Sequence, residues 1–231
     1  MKPWELLGET RTPDGTLLAL TRRDREYVIL ANGKSLMSSR MHGSEEALAT
    51  IVCGRVRTRV RPCVLVGGLG MGFTLRAALD ALPPEATVIV AELLPTVVDW
   101  NIALLAPLAD HPLKDRRVEV VVGDVADTFA SSRNRFDAVL LDVDNGPDAF
   151  TATANGGLYS DAGLAAIGKA LTAGGVVGVW SAWENRKFEQ RLRFAGFDVG
   201  VEHVRARLKK GGPHHTIFIG TRSLSAPGGT R

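Results

Sequence analysis

From Cys63 onward the chain alternates short apolar runs with longer stretches whose apolar residues recur at helical spacing. Val64-Leu65-Val66, Val88-Ile89-Val90, Val118–Val122, Ala138-Val139-Leu140-Leu141 and Val176–Trp180 read as near-continuous apolar strands, the pattern of strands buried on both faces. Between and after them, helices are predicted over about 72–82, 96–108, 125–132, 161–172 and 185–195. Pro95 suits the first turn of the second helix, Ser160 caps the fourth, and Gly174-Gly175 suits its C-terminus. Alternating strand and helix predict a mostly parallel sheet covered on both sides. The last two runs, Val199-Gly200-Val201 and Thr216–Ile219, are joined through Lys209-Lys210-Gly211-Gly212-Pro213, too short for a crossover helix. They are therefore expected to pair antiparallel.

Residues 1–45 follow a different rule. Thr16–Leu20 and Tyr27–Leu30 read as strands, Asn32-Gly33 is a two-residue hairpin signal, and Ser35-Leu36-Met37 supplies a third strand. This small β unit is too thin to stand alone. A helix is predicted from Ser44, as cap, through the acidic first turn Glu45-Glu46 to about Val52. Arg55, Arg57, Arg59 and Arg61 then alternate along a solvated connector ending at Pro62. The expected organisation is a β-hairpin unit over 1–45, an α/β domain over 46–222, and a Ser-, Gly- and Pro-rich tail over 223–231 read as disordered.

Composition narrows the class. At 231 residues, 45% hydrophobic and 23% charged, the chain can bury one substantial core. No apolar run reaches the ~20 residues of a membrane span, and Met1-Lys2-Pro3-Trp4-Glu5 does not open a secretory leader. Two cysteines, Cys53 and Cys63, are too few for a disulfide framework or a zinc site, so no metal is expected and a reducing cytoplasm fits. A net charge of +3 needs no nucleic acid to explain it.

The candidate chemistry gathers at strand ends. Gly68-Leu69-Gly70-Met71-Gly72 follows the first core strand and opens a helix. There, glycines let backbone approach a ligand, and the helix N-terminus offers free N–H groups. The G-x-G-x-x-G fingerprint fails, because Phe73 stands at its last position. Glu92 ends the second strand; it could accept from both hydroxyls of a ribose or be a solvated strand-end acid. Asp124, after the third strand, could accept from an adenine amine or cap the next helix. Asp142 and Asp144 follow the fourth strand in Asp142-Val143-Asp144-Asn145-Gly146-Pro147. They could attract a cation and take a proton from an attacking amine, or simply form a turn.

Taken in order and spacing, the glycine loop, Glu92, Gly123-Asp124 and the Asp142 loop resemble the spermidine synthase family, aminopropyltransferases related by fold to AdoMet-dependent methyltransferases. The likeness extends back to the hairpin at Asn32-Gly33 and the acid-bearing helix at Ser44-Glu45-Glu46. It implies a Rossmann-like sheet of the class I AdoMet methyltransferase type, ending in an antiparallel hairpin and preceded by the β unit. It also implies a cytoplasmic homodimer acting on a small-molecule amine, without nucleic acid or membrane. By that resemblance Gly68, Gly70, Gly72, Glu92 and Asp124 bind S-adenosylmethionine or its decarboxylated form as co-substrate. Asp142 and Asp144 are then the catalytic acids, Asp142 acting on the acceptor amine. Met71 stands where the family carries an Asp that holds the amine of the decarboxylated donor, and a thioether cannot supply that charge. Two alternatives to aminopropyl transfer therefore stand: methyl transfer from intact AdoMet, and a non-catalytic nucleoside-binding protein of the same fold.

Other residues are read as structural first. His214 and His215, adjacent on a strand, face opposite ways and cannot share an ion, so they are read as hairpin residues. His42 could reach the cleft, and Tyr159 either closes the pocket or packs in the core. Trp100, Trp180 and Trp183 are read as core or interface residues.

Overall fold

The computed structural model describes residues 2–143, 146–147, 157–207 and 212–223. Residues 224–231 of the tail and Asp144 lie outside the described residues. The chain opens with an antiparallel meander of four strands, β1 (Glu5–Arg11), β2 (Leu17–Arg23), β3 (Glu26–Ala31) and β4 (Lys34–Ser38), in that spatial order. Asn32 and Gly33 both take positive φ, 47° and 77°, as the tight hairpin between β3 and β4 requires. The sequence reading missed β1. Its alternation is broken by a register shift between Leu6 and Gly8, and a Cβ on Gly8 would sit 2.9 Å from the Trp100 indole nitrogen.

Seven further strands form the main sheet: β5 (Cys63–Gly67), β6 (Thr87–Glu92), β7 (Val118–Val122), β8 (Phe136–Leu141), β9 (Leu171–Ser181), β10 (Phe197–Arg205) and β11 (His214–Arg222). Their order is β10-β11-β9-β8-β5-β6-β7. The five strands β5 to β9 are mutually parallel, while β11 runs antiparallel to both β9 and β10. The expected class, a parallel sheet finished by a hairpin, is the observed one. The order reverses at β5, between β8 and β6, the place where open α/β sheets leave a crevice beyond the strand ends.

Six α-helices are described: α1 (Gly43–Gly54), α2 (Phe73–Ala81), α3 (Pro95–Ile102), α4 (Val125–Ala130), α5 (Asp161–Ala170) and α6 (Arg186–Phe194). Alternate residues of the central strands feed two cores. Val64, Val66, Val88 and Val90 pack with α1, α2, α3 and the N-terminal sheet, while Leu65, Ile89, Val139 and Leu141 pack with α4, α5 and α6. Leu18, Leu20 and Ile29 join the first of these cores, so burial that the thin N-terminal sheet cannot supply alone comes from its neighbour.

Four expectations are corrected. The helix read over 96–108 stops at Ile102 and resumes as a 3-10 turn over Ala106–Ala109, because Pro107 cannot donate the bond a continuous helix needs. The helix read to 172 ends at Ala170, and Gly174-Gly175 lie inside β9, where the pairing skips from Leu171 to Val176 against Phe136 and Ala138. Ser44 does not cap α1; the cap position is His42. Arg59 is not solvated: it bonds Asp137 at 2.6 Å and Thr172 at 2.7 Å, fastening the connector to the sheet.

Candidate active site

The loop after β5 is shaped by close backbone approach. Gly68, Gly70 and Gly72 all have positive φ. A Cβ on Gly68 would lie 2.3 Å from the Asp142 carbonyl oxygen, so only glycine lets the loops after β5 and β8 run side by side. They are tied by the Asp142 N–H donating to the Gly67 carbonyl at 2.9 Å. On the other side, the Asn101 amide of α3 donates to the Gly70 carbonyl at 2.8 Å.

Glu92 is neither solvated nor idle. It is 8% exposed, and its two oxygens accept from the Leu69 and Leu94 N–H groups, each at 2.9 Å. Burial pushes its pKa up and these backbone donors hold it back. The acid thus braces the glycine loop, with the Leu93 and Gly70 N–H groups adding to the same hold. Asp124 caps α4, accepting from the Ala126 N–H at 2.8 Å. It also borders the same cavity as Glu92.

Two cavities meet at Asp142. The first lies over the strand ends between Gly68, Gly70, Glu92, Asp124 and Val125, bordered also by Leu18 and Ile29 of the N-terminal sheet and by Thr12 of its first turn. The second opens between β4, α1 and the hairpin, bounded by Met41, Glu45, Trp180, Ala206 and His215. Leu36, Met37 and Asp142 line both. Met37 leans on the glycine loop: a Cβ on Gly70 would come within 2.7 Å of its methyl group.

The second cavity is unusual in its acids. Asp142 keeps a partly exposed surface, as a residue facing two cavities must, but protein encloses its carboxyl. Loss of hydration pushes it up to about 6, against the bond it accepts from the Thr74 hydroxyl at 2.6 Å. Glu45, 8% exposed, is pushed up to about 7, first by burial and then by the field of Asp142. The Ser44 hydroxyl donates to Glu45 at 2.6 Å and lies 2.8 Å from His215 Nδ1. His215 stands edge-on to Trp180 at 4.7 Å, and burial lowers its pKa from the ordinary value.

The residues expected in the site divide plainly. Gly68, Gly70, Glu92, Asp124 and Asp142 border one cavity. Gly72 instead forms the N-cap of α2. Met71 points into the core at 1% exposure and leaves no side chain in the cleft. His42 is turned away, stacked on Phe73 at 4.0 Å and paired with Glu46 at 2.6 Å. Tyr159 packs edge-on against Phe188 in the second core and lines neither cavity. Sequence reasoning assigned no site role to Thr74 or Glu45, and set His215 and Trp180 aside. The signal for Glu45 was the acidic first turn; for His215 it was a histidine on a strand of otherwise apolar inward faces.

No protein-family model matches the chain, and no curated protein matches it in sequence. Solved structures do match in fold. A spermidine synthase in complex with the transition-state analogue AdoDATO superposes with a TM-score of 0.72 at 16% identity, over 95% of this chain and 73% of that one. The spermidine synthase from Thermotoga maritima gives the same figures: 0.72, 16%, 95% and 73%. The fold of this chain, hairpin sheet included, is that of the spermidine synthases.

Proposed function

We propose that the protein transfers an aminopropyl group from a decarboxylated AdoMet-type sulfonium to a small-molecule amine. The carrying observation is the charge of the first cavity. Glu92, Asp124 and Asp142 line it, and no Lys, Arg or His does among the described residues. Such a lining suits a donor with a cationic sulfonium and a free ammonium. With Glu92 and Asp124 turned to the nucleoside, Asp142 is the acid left at the reacting end, where it disfavours the carboxylate of intact AdoMet that methyl transfer would require. Met71, buried in the core, neither adds to this field nor opposes it. The fold shared with spermidine synthases, one of them holding a transition-state analogue, supports the same reading.

In this reading Glu92 takes the ribose hydroxyls, Asp124 the adenine amine, and the glycine loop the backbone contact. The acceptor nitrogen enters through the second cavity and attacks the aminopropyl carbon bonded to sulfur. The C–N bond forms as the C–S bond breaks, sulfur leaves as the neutral thioether of methylthioadenosine, and the surplus proton on nitrogen passes to Asp142. The sulfonium is already a good leaving group, so the protein contributes position and a proton acceptor. An alkylammonium with pKa ~10.4 gives its proton to a carboxylate at the ordinary 3.8 at a cost of about 9 kcal/mol. Raising Asp142 to about 6 reduces this to about 6 kcal/mol. Turnover should therefore rise with pH as Asp142 ionises near 6. We also propose a homodimer, with β1, which exposes Leu6, at a free sheet edge.

The test is mass spectrometry of the products formed from decarboxylated AdoMet and a panel of mono- and diamines. The expected products are an aminopropylated amine and methylthioadenosine in equal amounts. Methylated amine with S-adenosylhomocysteine, formed only from intact AdoMet, would replace this reading by methyl transfer. Binding of methylthioadenosine without turnover of any amine would leave a nucleoside-binding protein.

A further inference from the structure

On the transferase reading above, Asp142 gains a proton at every turnover. With both cavities filled, its carboxyl lies between two ligands. Among the described residues its one hydrogen-bond donor, the Thr74 hydroxyl, sits in the buried first turn of α2 and leads inward. A second acid faces the same acceptor cavity from α1, however, and behind it the hydrogen bonds continue. Ser44 and Glu45 are buried, and His215 on β11 is partly exposed beside the exposed His214. Two contacts, of 2.6 and 2.8 Å, span the distance from buried acid to surface. Ser44 stands in the first turn of its helix, yet its hydroxyl serves no backbone cap and turns to Glu45 instead.

We propose that Glu45, Ser44 and His215 form a proton exit from the acceptor cavity. Asp142 passes its proton to Glu45 through water that shares the cavity with the amine, the ≈ 200 Å³ being several times the ~30 Å³ share of one water molecule. The Glu45 O–H then gives its proton to Ser44 Oγ while the serine's own hydrogen moves to His215 Nδ1. The imidazole releases its Nε2 proton to solvent. One proton leaves, Glu45 is again a carboxylate, and Ser44 is a hydroxyl donating to it, the arrangement observed. The half-exposed ring resets by exchange with water.

The surroundings suit this traffic. Glu45 faces Asp142 from the end of β8 and Glu46 on its own helix, both of which favour its protonated form. His215 faces Ser44 from α1, Trp180 from β9 and His214 on its own strand. Asp142 near 6, Glu45 near 7 and a His215 lowered from its ordinary value all lie at or below neutrality, so no group on the route holds the proton as a deep trap. Apart from His215, no basic side chain lines this cavity among the described residues.

The chain predicts a tautomer switch that needs no substrate. With Glu45 protonated, donors run Glu45 to Ser44 to His215 Nδ1, leaving the hydrogen on Nε2. With Glu45 ionised they run the other way, and Nδ1 carries it. Nitrogen-15 NMR of histidine-labelled protein from about pH 5.5 to about 8.5 should show His215, assigned by the peak lost in His215→Gln, changing from the Nε2–H to the Nδ1–H form. Glu45→Gln should abolish the change. In turnover, Ser44→Ala and His215→Ala should lower kcat by about tenfold or more without raising KM for the amine. Added imidazole should restore the His215→Ala rate. One tautomer throughout the range in the wild type, or wild-type kcat and pH profile in both variants, would overturn the exit. Absence of any aminopropyl transfer would overturn the transferase reading and leave the NMR result to decide the exit.

Discussion

Glu92 and Glu45 are matched in burial, each 8% exposed, yet they behave as different chemical groups. Glu92 on the donor side has a backbone N–H on each oxygen. Those donors are fixed by β6 and the glycine loop, cannot reverse polarity, and stabilise the ionised form. Glu45 on the proposed acceptor side has, besides its own backbone N–H, a serine hydroxyl, which can donate or accept, and the Asp142 carboxyl in its field. Burial raises both; for Glu92 the backbone donors work against the rise, while for Glu45 the field of Asp142 adds to it and carries it to about 7. At equal desolvation the partners decide whether a buried acid is a fixed charge or a proton carrier. On the proposed reading the two sides of the cleft divide this way: the donor side grips, and the acceptor side exchanges protons.

The largest expected effect comes from removing the acid they share. Asp142→Asn should lower turnover by about 10²–10⁴-fold, while methylthioadenosine affinity, measured by calorimetry, stays within a few-fold. Equal losses in both would place Asp142 on the gripping side. Next, Gly68→Ala should cost roughly 2–4 kcal/mol in urea unfolding, since its Cβ meets the Asp142 carbonyl and its φ is +88°. An unchanged midpoint would show that the two loops do not need their close approach.

The comparison between the glutamates is sharpened by pH. Glu45 has a folded-state pKa of about 7 against 4.5 ordinarily. Between these values the folded chain binds more protons than the unfolded one, so its stability falls as pH rises. That single group accounts for about 3 kcal/mol. Denaturant unfolding should show Glu45→Gln more stable than the wild type at about pH 8 and little different at about pH 5. Glu92→Gln should do the reverse of a gain, losing about 1–3 kcal/mol near neutrality, because an amide nitrogen facing Leu69 or Leu94 leaves a buried N–H unpaired. The smallest effect concerns assembly: sedimentation at micromolar concentration should give a dimer, and a monomer would remove that proposal.

The donor half was legible because its parts are local in sequence. A glycine run directly after a strand, and single acids directly after the next three, are placed by strand direction alone. Gly68, Gly70, Glu92, Asp124 and Asp142 came together accordingly. What could not be read was their internal bonding: nothing local says that Glu92 accepts from Leu69, 23 residues away. The acceptor half is built from segments far apart. Ser44 and His215 meet across 171 residues, through the insertion of β11 between β9 and β10 and the seating of α1 against it. A serine before two glutamates reads as a cap until the packing shows which way it turns. In the fold, one strand and two helix ends were misread where one or two residues overrule a pattern: Gly8 making room for Trp100 in β1, Pro107 stopping a helix, and Gly174-Gly175 bulging within β9.

The central claim is that the first cavity is built for a cationic donor lacking a carboxylate. Isothermal titration of the intact protein with decarboxylated AdoMet and with AdoMet tests it most directly. The acidic lining predicts at least about tenfold tighter binding of the decarboxylated form, weakening with salt. Equal or tighter binding of intact AdoMet would contradict it.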